Sequence, residues 1–151
     1  MPRFETRSML PQPPAIVFGH ILDLSQWPLF RGDGPLPGIV RAELAGPGPL
    51  GVGTRIRVTN TDRSVHHEVI EELVPGERYR VRMELTPPAS WLMARIDETV
   101  TLSPATGGTE ISRRFDVVPR SLATAPICWL IAKLLRRAVE THNNAVAAAL
   151  A

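Results

Sequence analysis

The chain has little of what would tie it to a membrane, a disulfide framework or a nucleic acid. Its 151 residues contain one cysteine, Cys128, one tyrosine, Tyr79, and one lysine, Lys133. A lone cysteine closes no internal disulfide, which agrees with a reducing compartment. No apolar run reaches the ~18 residues of a membrane span. The nearest, Leu122–Leu135, is too short and is interrupted by Lys133. Met1 to Leu10 carries Arg3, Glu5 and Arg7 and lacks the apolar centre of a signal peptide. A cytoplasmic protein without stable membrane insertion is therefore expected. Aromatic residues make up 5 % of the chain, too few to interleave with arginine as a nucleic-acid groove requires, so no nucleic-acid partner is expected.

Arginine, alanine, proline and glycine are abundant instead. The net charge is nevertheless only +2, because acids balance the arginines. Arg78, Arg80 and Arg82 share one face of a predicted strand and Tyr79 takes the other, which reads as a solvated outer face paired with acids. The length fits one domain over residues 1–151, large enough to bury roughly 68–70 % of its unfolded surface.

The hydrophobic periodicity changes twice along the chain. Phe4 to Leu10 alternates as a strand, and Pro11, Pro13 and Pro14 end it. Ile16, Val17, Phe18, Ile21 and Leu22 then predict a short helix, opened by proline in its first turn. Asp23 to Pro28 breaks that helix, with Ser25 placed to cap a second brief turn, and Arg31 to Gly38 reads as a loop. Strands are predicted at Ile39–Leu44, Gly53–Asn60, Val65–Leu73, Tyr79–Leu85, Trp91–Leu102 and Thr109–Val118. Pro75-Gly76, Pro87-Pro88 and Gly107-Gly108 supply turns between them. A long helix, Pro126–Leu150, closes the chain. Its apolar stripe runs Cys128, Ile131, Leu135, Val139, His142, Val146 and Leu150, with Lys133, Arg137, Glu140 and Asn144 opposite. Trp129 and Leu130 fall outside the stripe, so the first turn is apolar nearly all round: it covers the sheet's end, packs against a second copy in a homodimer, or touches a membrane surface.

A helix that arrives after a complete antiparallel sheet has to cover one face of it. The fold class expected is α+β: a curved antiparallel sheet of about seven strands wrapped around the C-terminal helix, with two short helices after the first strand. Three segments carry a family resemblance: Pro14–Phe18 running into Asp23–Pro28, Gly48–Arg55 opening a strand, and Val69–Arg78 ending a strand in an acidic turn. In that order they resemble the START-like helix-grip superfamily, SRPBCC, and most closely its bacterial polyketide cyclase/dehydrase and lipid-transport branch. The resemblance covers nearly the whole chain. It implies an apolar cavity between sheet and final helix for a hydrophobic small molecule. It carries over no catalytic residue, because the superfamily shares no catalytic motif.

Motifs for phosphate or dinucleotide binding fail. Gly46–Gly53 lacks the Lys-Ser or Lys-Thr of a phosphate loop, and Gly51-Val52-Gly53 leads into a strand rather than a helix. His20, His66, His67 and His142 show no zinc spacing, and no metal or cofactor is expected. His66 and His67 are adjacent on a strand, so at most one of them lines a cavity unless a bulge accommodates both; Val65 and Val69 favour His67, Ile70 favours the other register, and either can be a hydrogen-bonded or exposed strand histidine instead. Glu98 shares a face with Ile96, Val100 and Leu102, and Arg113 with Ile111 and Phe115. Folding the last hairpin brings Glu98 and Arg113 opposite each other or one pair out of register. They form either a structural ion pair or a polar anchor in which Arg113 binds a ligand carboxylate or enolate. His142 is the one titratable residue of the inward helix stripe: either a core histidine hydrogen-bonded to a backbone carbonyl or, with a pKa near neutrality, a group suited to proton transfer. Trp27, Tyr79, Met83, Trp91 and Met93 are the expected apolar lining. A bulge near Ala94 or Arg95 is needed to bring Trp91 and Met93 to the side of Ile96 and Glu98.

Three functions follow as expectations. The first is binding or transport of a lipid, isoprenoid or polyketide-like molecule. The second is a cyclase, aromatase or dehydratase using His142, Glu98 and Arg113. The third is a co-chaperone-like interaction module using the Arg78/Arg80/Arg82 face or the apolar turn at Ile127–Ile131.

Overall fold

The computed structural model describes residues 1–151. Strand β1 (Arg3–Leu10) is followed by helix α1 (Pro14–Ile21) and a 3₁₀ turn (Leu24–Leu29). Strands β2 (Ile39–Leu44), β3 (Arg55–Asn60), β4 (Val65–Val74) and β5 (Arg78–Glu84) come next. A one-turn helix α2 (Ala89–Leu92) precedes β6 (Met93–Ala105), β7 (Gly108–Pro119) and the long helix α3 (Ala125–Ala149). The seven strands form one antiparallel sheet in the order β1-β7-β6-β5-β4-β3-β2. The first strand thus lies beside the last, and α1 with the 3₁₀ turn carries the chain from one edge of the sheet to the other. The expected α+β helix-grip architecture is what forms.

Local chemistry explains the joints. The 3₁₀ turn is capped by Asp23, whose carboxylate accepts from the Ser25 backbone N–H at 3.0 Å and from its hydroxyl at 2.6 Å. Ser25, expected to be the cap, is instead the donor. Trp27 Nε1 donates to the Ile21 carbonyl at 3.0 Å and ties this turn to the end of α1. Gly108 opens β7 where β1 ends: a Cβ there would lie 1.9 Å from the Leu10 carbonyl oxygen, so no other residue fits. The neighbouring Thr109 hydroxyl donates to the Gln12 carbonyl at 2.6 Å, and Gln12 Nε2 donates to the Leu150 carbonyl at 3.0 Å. The end of α3 is thereby fastened to the start of the chain. Pro87-Pro88 does not make the simple hairpin expected of it. It leads into α2, and Trp91 belongs to that helix rather than to β6.

Period-two burial places Thr109, Ile111, Arg113, Phe115 and Val117 of β7 on the inner face. Residues Ile96, Glu98, Val100 and Leu102 of β6 lie on that face too. The register shift between Met93 and Arg95 supplies the expected bulge and turns Met93 inward as well. Helix α3 covers this face with Cys128, Ala132, Leu135, Ala138, Val139, Asn143 and Val146, all buried.

The core is not one continuous apolar mass. One cluster holds Leu10, Val100, Leu102, Ile111, Val146 and Leu150, among others, and a second holds Phe4, Ile96, Phe115, Leu135 and Val139. On four elements in turn, a polar residue stands between the two: Thr6 on β1, Glu98 on β6, Arg113 on β7 and Asn143 on α3, each buried. Polar residues in the middle of a core are costly unless fully bonded, so this seam is where function is sought.

Candidate functional site

Between the inner face and α3 lies a cavity of about 400 Å³, so the space under the helix is hollow rather than filled. That volume is within the range of small-molecule sites. Its walls are mostly apolar: 21 of the 37 residues that line it are hydrophobic. Met83, Met93 and Ile96 come from the sheet, Phe30 and Leu36 from the long crossover, and Ile131, Leu135 and Val146 from α3. Pro35–Pro37 and Thr86–Ala89 complete the wall.

Arg113 is the centre of the polar seam. Its Nε donates to Glu98 Oε2 at 2.8 Å. Its Nη1 donates to His142 Nδ1 at 2.7 Å and to Asn143 Oδ1 at 3.1 Å. Asn143 Nδ2 passes the chain on to the Thr6 hydroxyl at 3.1 Å. None of these bonds uses Arg113 Nη2. The guanidinium carbon also lies 5.6 Å from the centre of the Phe115 ring, which stacks on Phe4 at 5.0 Å. The hairpin register that permits this pairs Val100 with Arg113 and Glu98 with Phe115, so the two charges are one pair out of register and meet diagonally.

The protonation states follow from these contacts. A guanidinium only donates, so His142 Nδ1 must accept and the imidazole is neutral with its proton on Nε2. Burial, and then the Arg113 charge beside it, lower the His142 pKa to about 3. The near-neutral titration considered for His142 is therefore not found: burial disfavours its charge, and a cation at hydrogen-bond distance disfavours it further. Burial also pushes the Glu98 carboxyl above its ordinary range, and Arg113 pulls against that without cancelling it. For Arg113 itself, burial works against the charge, and Glu98, Tyr79 and Glu68 together more than offset it. Burial holds the Tyr79 phenol protonated, well above its ordinary value.

Of the residues expected to line the cavity, Trp27, Tyr79, Met83, Met93, Glu98, Arg113 and His142 do so. Two expected there do not. Trp91 is 68 % exposed on α2, because Pro87-Pro88 starts a helical turn that directs Ala89 and Leu92 inward in its place. His67 faces outward and His66 takes the cavity position: the β4 register pairs His66 with Val58 and Glu68 with Met83, both inner-face residues. The alternation read from Val65 and Val69 is the outer one; Ile70 marks the inner phase, and a bulge between Ile70 and Glu72 ends it.

Sequence reading missed Asn143, Thr6, Asn60 and Glu68. Asn143 was legible, standing four residues after Val139 and three before Val146. Glu68 carried a weaker signal, an acid two residues before Ile70 in a strand whose phase was ambiguous. It is 4 % exposed and accepts from His66 Nε2 at 3.0 Å. His66 Nδ1 in turn accepts from Asn60 Nδ2 at 3.0 Å. The outer face behaves as expected: Arg78 pairs with Glu72, Arg80 and Arg82 with Glu71, and Arg82 also with Glu84. No helix is long and apolar enough to cross a membrane.

A sheet gripping one long helix over a hollow, mostly apolar interior defines a class of cavity protein. The family model described as polyketide cyclase/dehydrase and lipid transport matches residues 1–151, and the chain belongs to that family. No curated protein matches it in sequence. Among solved structures it is similar to Ara h 8.0201, with 19 % identity, 99 % of this chain and 97 % of that one covered, and a TM-score of 0.77. It is similar to the di-domain ARO/CYC StfQ of the steffimycin biosynthetic pathway at 13 % identity and a TM-score of 0.73, covering 97 % of this chain and 50 % of that one. The protein XoxI of Bacillus cereus shares 15 % identity at a TM-score of 0.70, with 99 % and 96 % covered. At such identities these likenesses establish the shared fold.

Proposed function

We propose that the protein binds and carries a hydrophobic small molecule, a lipid, isoprenoid or polyketide-like compound, in the cavity between the sheet and α3. The observation that carries this reading is a hollow, apolar interior of about 400 Å³ with one bonded guanidinium set into its wall. A core built only for stability would be filled, because voids forfeit packing energy. Arg113 is held rigid by Glu98, His142 and Asn143 and keeps Nη2 for an oxygen of the ligand. Trp27, Tyr79, Met83, Met93 and Ile96 supply the apolar walls. The family description and the likeness to a polyketide ARO/CYC support this choice of ligand chemistry.

Native mass spectrometry of freshly purified protein, with titration of the neutral dye N-phenyl-1-naphthylamine, tests the proposal. A co-purifying apolar ligand or saturable dye binding is expected. Absence of both would overturn it.

A second reading, turnover of the bound molecule, has one observation in its favour: Glu98, Arg113 and His142 do converge at hydrogen-bond distance. In that reading the acid–base role passes from His142, which stays neutral, to the Glu98 carboxyl, and Arg113 stabilises developing negative charge. Conversion of a linear polyketide surrogate by the wild type and its loss in Glu98→Gln would support it; unchanged substrate with the wild type would end it.

A further inference from the structure

The cavity has a second polar group of its own, apart from the Arg113 seam. Asn60 on β3 and His66 and Glu68 on β4 lie on the inner face, and Asn60 and Glu68 are 7 % and 4 % exposed. Asn60 Nδ2 donates to the Ser64 hydroxyl at 3.1 Å and to His66 Nδ1 at 3.0 Å. His66 Nε2 then donates to Glu68 Oε2 at 3.0 Å. Both ring nitrogens of His66 are used, so it orients Glu68. The carboxylate is left with one bond, and Oε1 is not part of it. A buried carboxylate accepts several hydrogen bonds and is poorly satisfied by one.

The charges around the cavity sharpen this. Arg113 is the only lysine or arginine that lines it, against the carboxyl groups of Asp62, Glu68 and Glu98. Arg113 is already paired with Glu98 at 2.8 Å. A ligand carboxylate would enter a mostly apolar space that holds no unpaired cation, at a high desolvation cost. A donor group, by contrast, finds Glu68 unfilled.

We infer that Asn60, His66 and Glu68 form a donor-reading subsite, so that the cavity selects an apolar ligand bearing a hydroxyl or protonated amine over one bearing a carboxylate. His66 is here a positioning residue, and Glu68 is the group that meets the ligand. This inference rests on the carrier function proposed above.

The test is displacement of N-phenyl-1-naphthylamine from the whole protein by four probes of matched length: decanol, decylamine, decanoate and methyl decanoate. Decanol or decylamine should compete at least about ten-fold better than decanoate and methyl decanoate, the worth of one hydrogen bond to a charged acceptor. The decanol and decylamine arms separate a neutral donor from a cationic one. In Glu68→Leu the preference should vanish. Glu68→Gln, which retains an acceptor for His66, should keep part of the decanol preference and lose that for decylamine.

Equal competition by all four probes in the wild type would overturn the subsite, with no variant needed, and would leave the carrier function standing. A preference unchanged in a folded Glu68→Leu protein would also overturn it. Failure of the dye and of all four probes to bind would overturn the carrier function and this inference together.

Discussion

Two sets of arginine–carboxylate pairs occupy opposite faces of one sheet. On the outer face, Arg80 and Arg82 approach Glu71 at 3.8 Å with side chains 47 % and 40 % exposed. On the inner face, Arg113 meets Glu98 at 2.8 Å with side chains 10 % and 6 % exposed. The residue types are the same and the physics is not. Exposed pairs exchange water for a weak, screened attraction and contribute roughly 0–1 kcal/mol. A buried pair has lost its water, so each partner depends on the other and on every remaining hydrogen bond. A fold that needed only stability would place apolar residues at 98 and 113; retaining the charges there points to a use for them inside the cavity.

The comparison breaks most visibly at Arg113. Arg113→Leu leaves the Glu98 carboxyl buried without its cation and frees Asn143 and His142 from their shared donor. A loss of about 3–5 kcal/mol is expected in urea denaturation followed by circular dichroism. A loss below about 1 kcal/mol would mean that Glu98 sits neutral or hydrated, and that the inner pair resembles the outer one after all.

The next largest effect is a pH dependence. The folded pKa of His142 is about 3, below its ordinary 6.5. Between those values the unfolded chain binds a proton that the folded one refuses, so stability is full above about pH 6.5 and is lost as the pH falls toward 3. Glu98, whose folded pKa is raised, acts with the opposite sign from its ordinary value upward. His142→Gln keeps an acceptor for Arg113 but cannot titrate. It should remove on the order of 2–3 kcal/mol of the difference between pH 7 and pH 4, read from denaturation midpoints at the two values. An identical pH profile in wild type and variant would show that His142 is not held neutral by its neighbours.

Replacing both charges sharpens the contrast further. Glu98→Leu combined with Arg113→Leu removes the desolvation cost along with the attraction, so the double variant should lie within about 1.5 kcal/mol of wild type. Its dye affinity should hold while discrimination among oxygen-bearing ligands falls. A double variant as unstable as Arg113→Leu alone would assign the loss to packing rather than charge.

How much of this was legible in the sequence follows the same division. The strands themselves, the grip helix and the inner position of Glu98 and Arg113 can be read because side-chain alternation and a 3.6-residue stripe are local signals. His66 against His67 could not be decided, because Val65, Val69 and Ile70 occupy both phases of β4 and only pairing with Val58 and Met83 selects one. Trp91 leaves the predicted strand because a single helical turn follows Pro87-Pro88 before β6 begins at Met93. The His142 pKa was out of reach for a different reason. It depends first on burial in the assembled fold and then on a cation 29 residues away in the chain and 2.7 Å away in space.

The smallest effect belongs to the outer face, where Arg80→Ala removes one exposed guanidinium from a strand that keeps Arg78 and Arg82. Glu71 retains Arg82 at 3.8 Å, so no acid is stranded. The alternating partner on the inner side, Tyr79, is buried at 6 % exposure and is untouched by the change. A shift within about 0.5 kcal/mol is expected, and it should shrink further in 0.5 M salt, where exposed charges are screened. Loss of a stable complex in a pull-down, with stability unchanged, would instead mark this face as an interaction surface. Its ion pairs would then be partners held in reserve for another protein rather than the solvated balance that their distances describe.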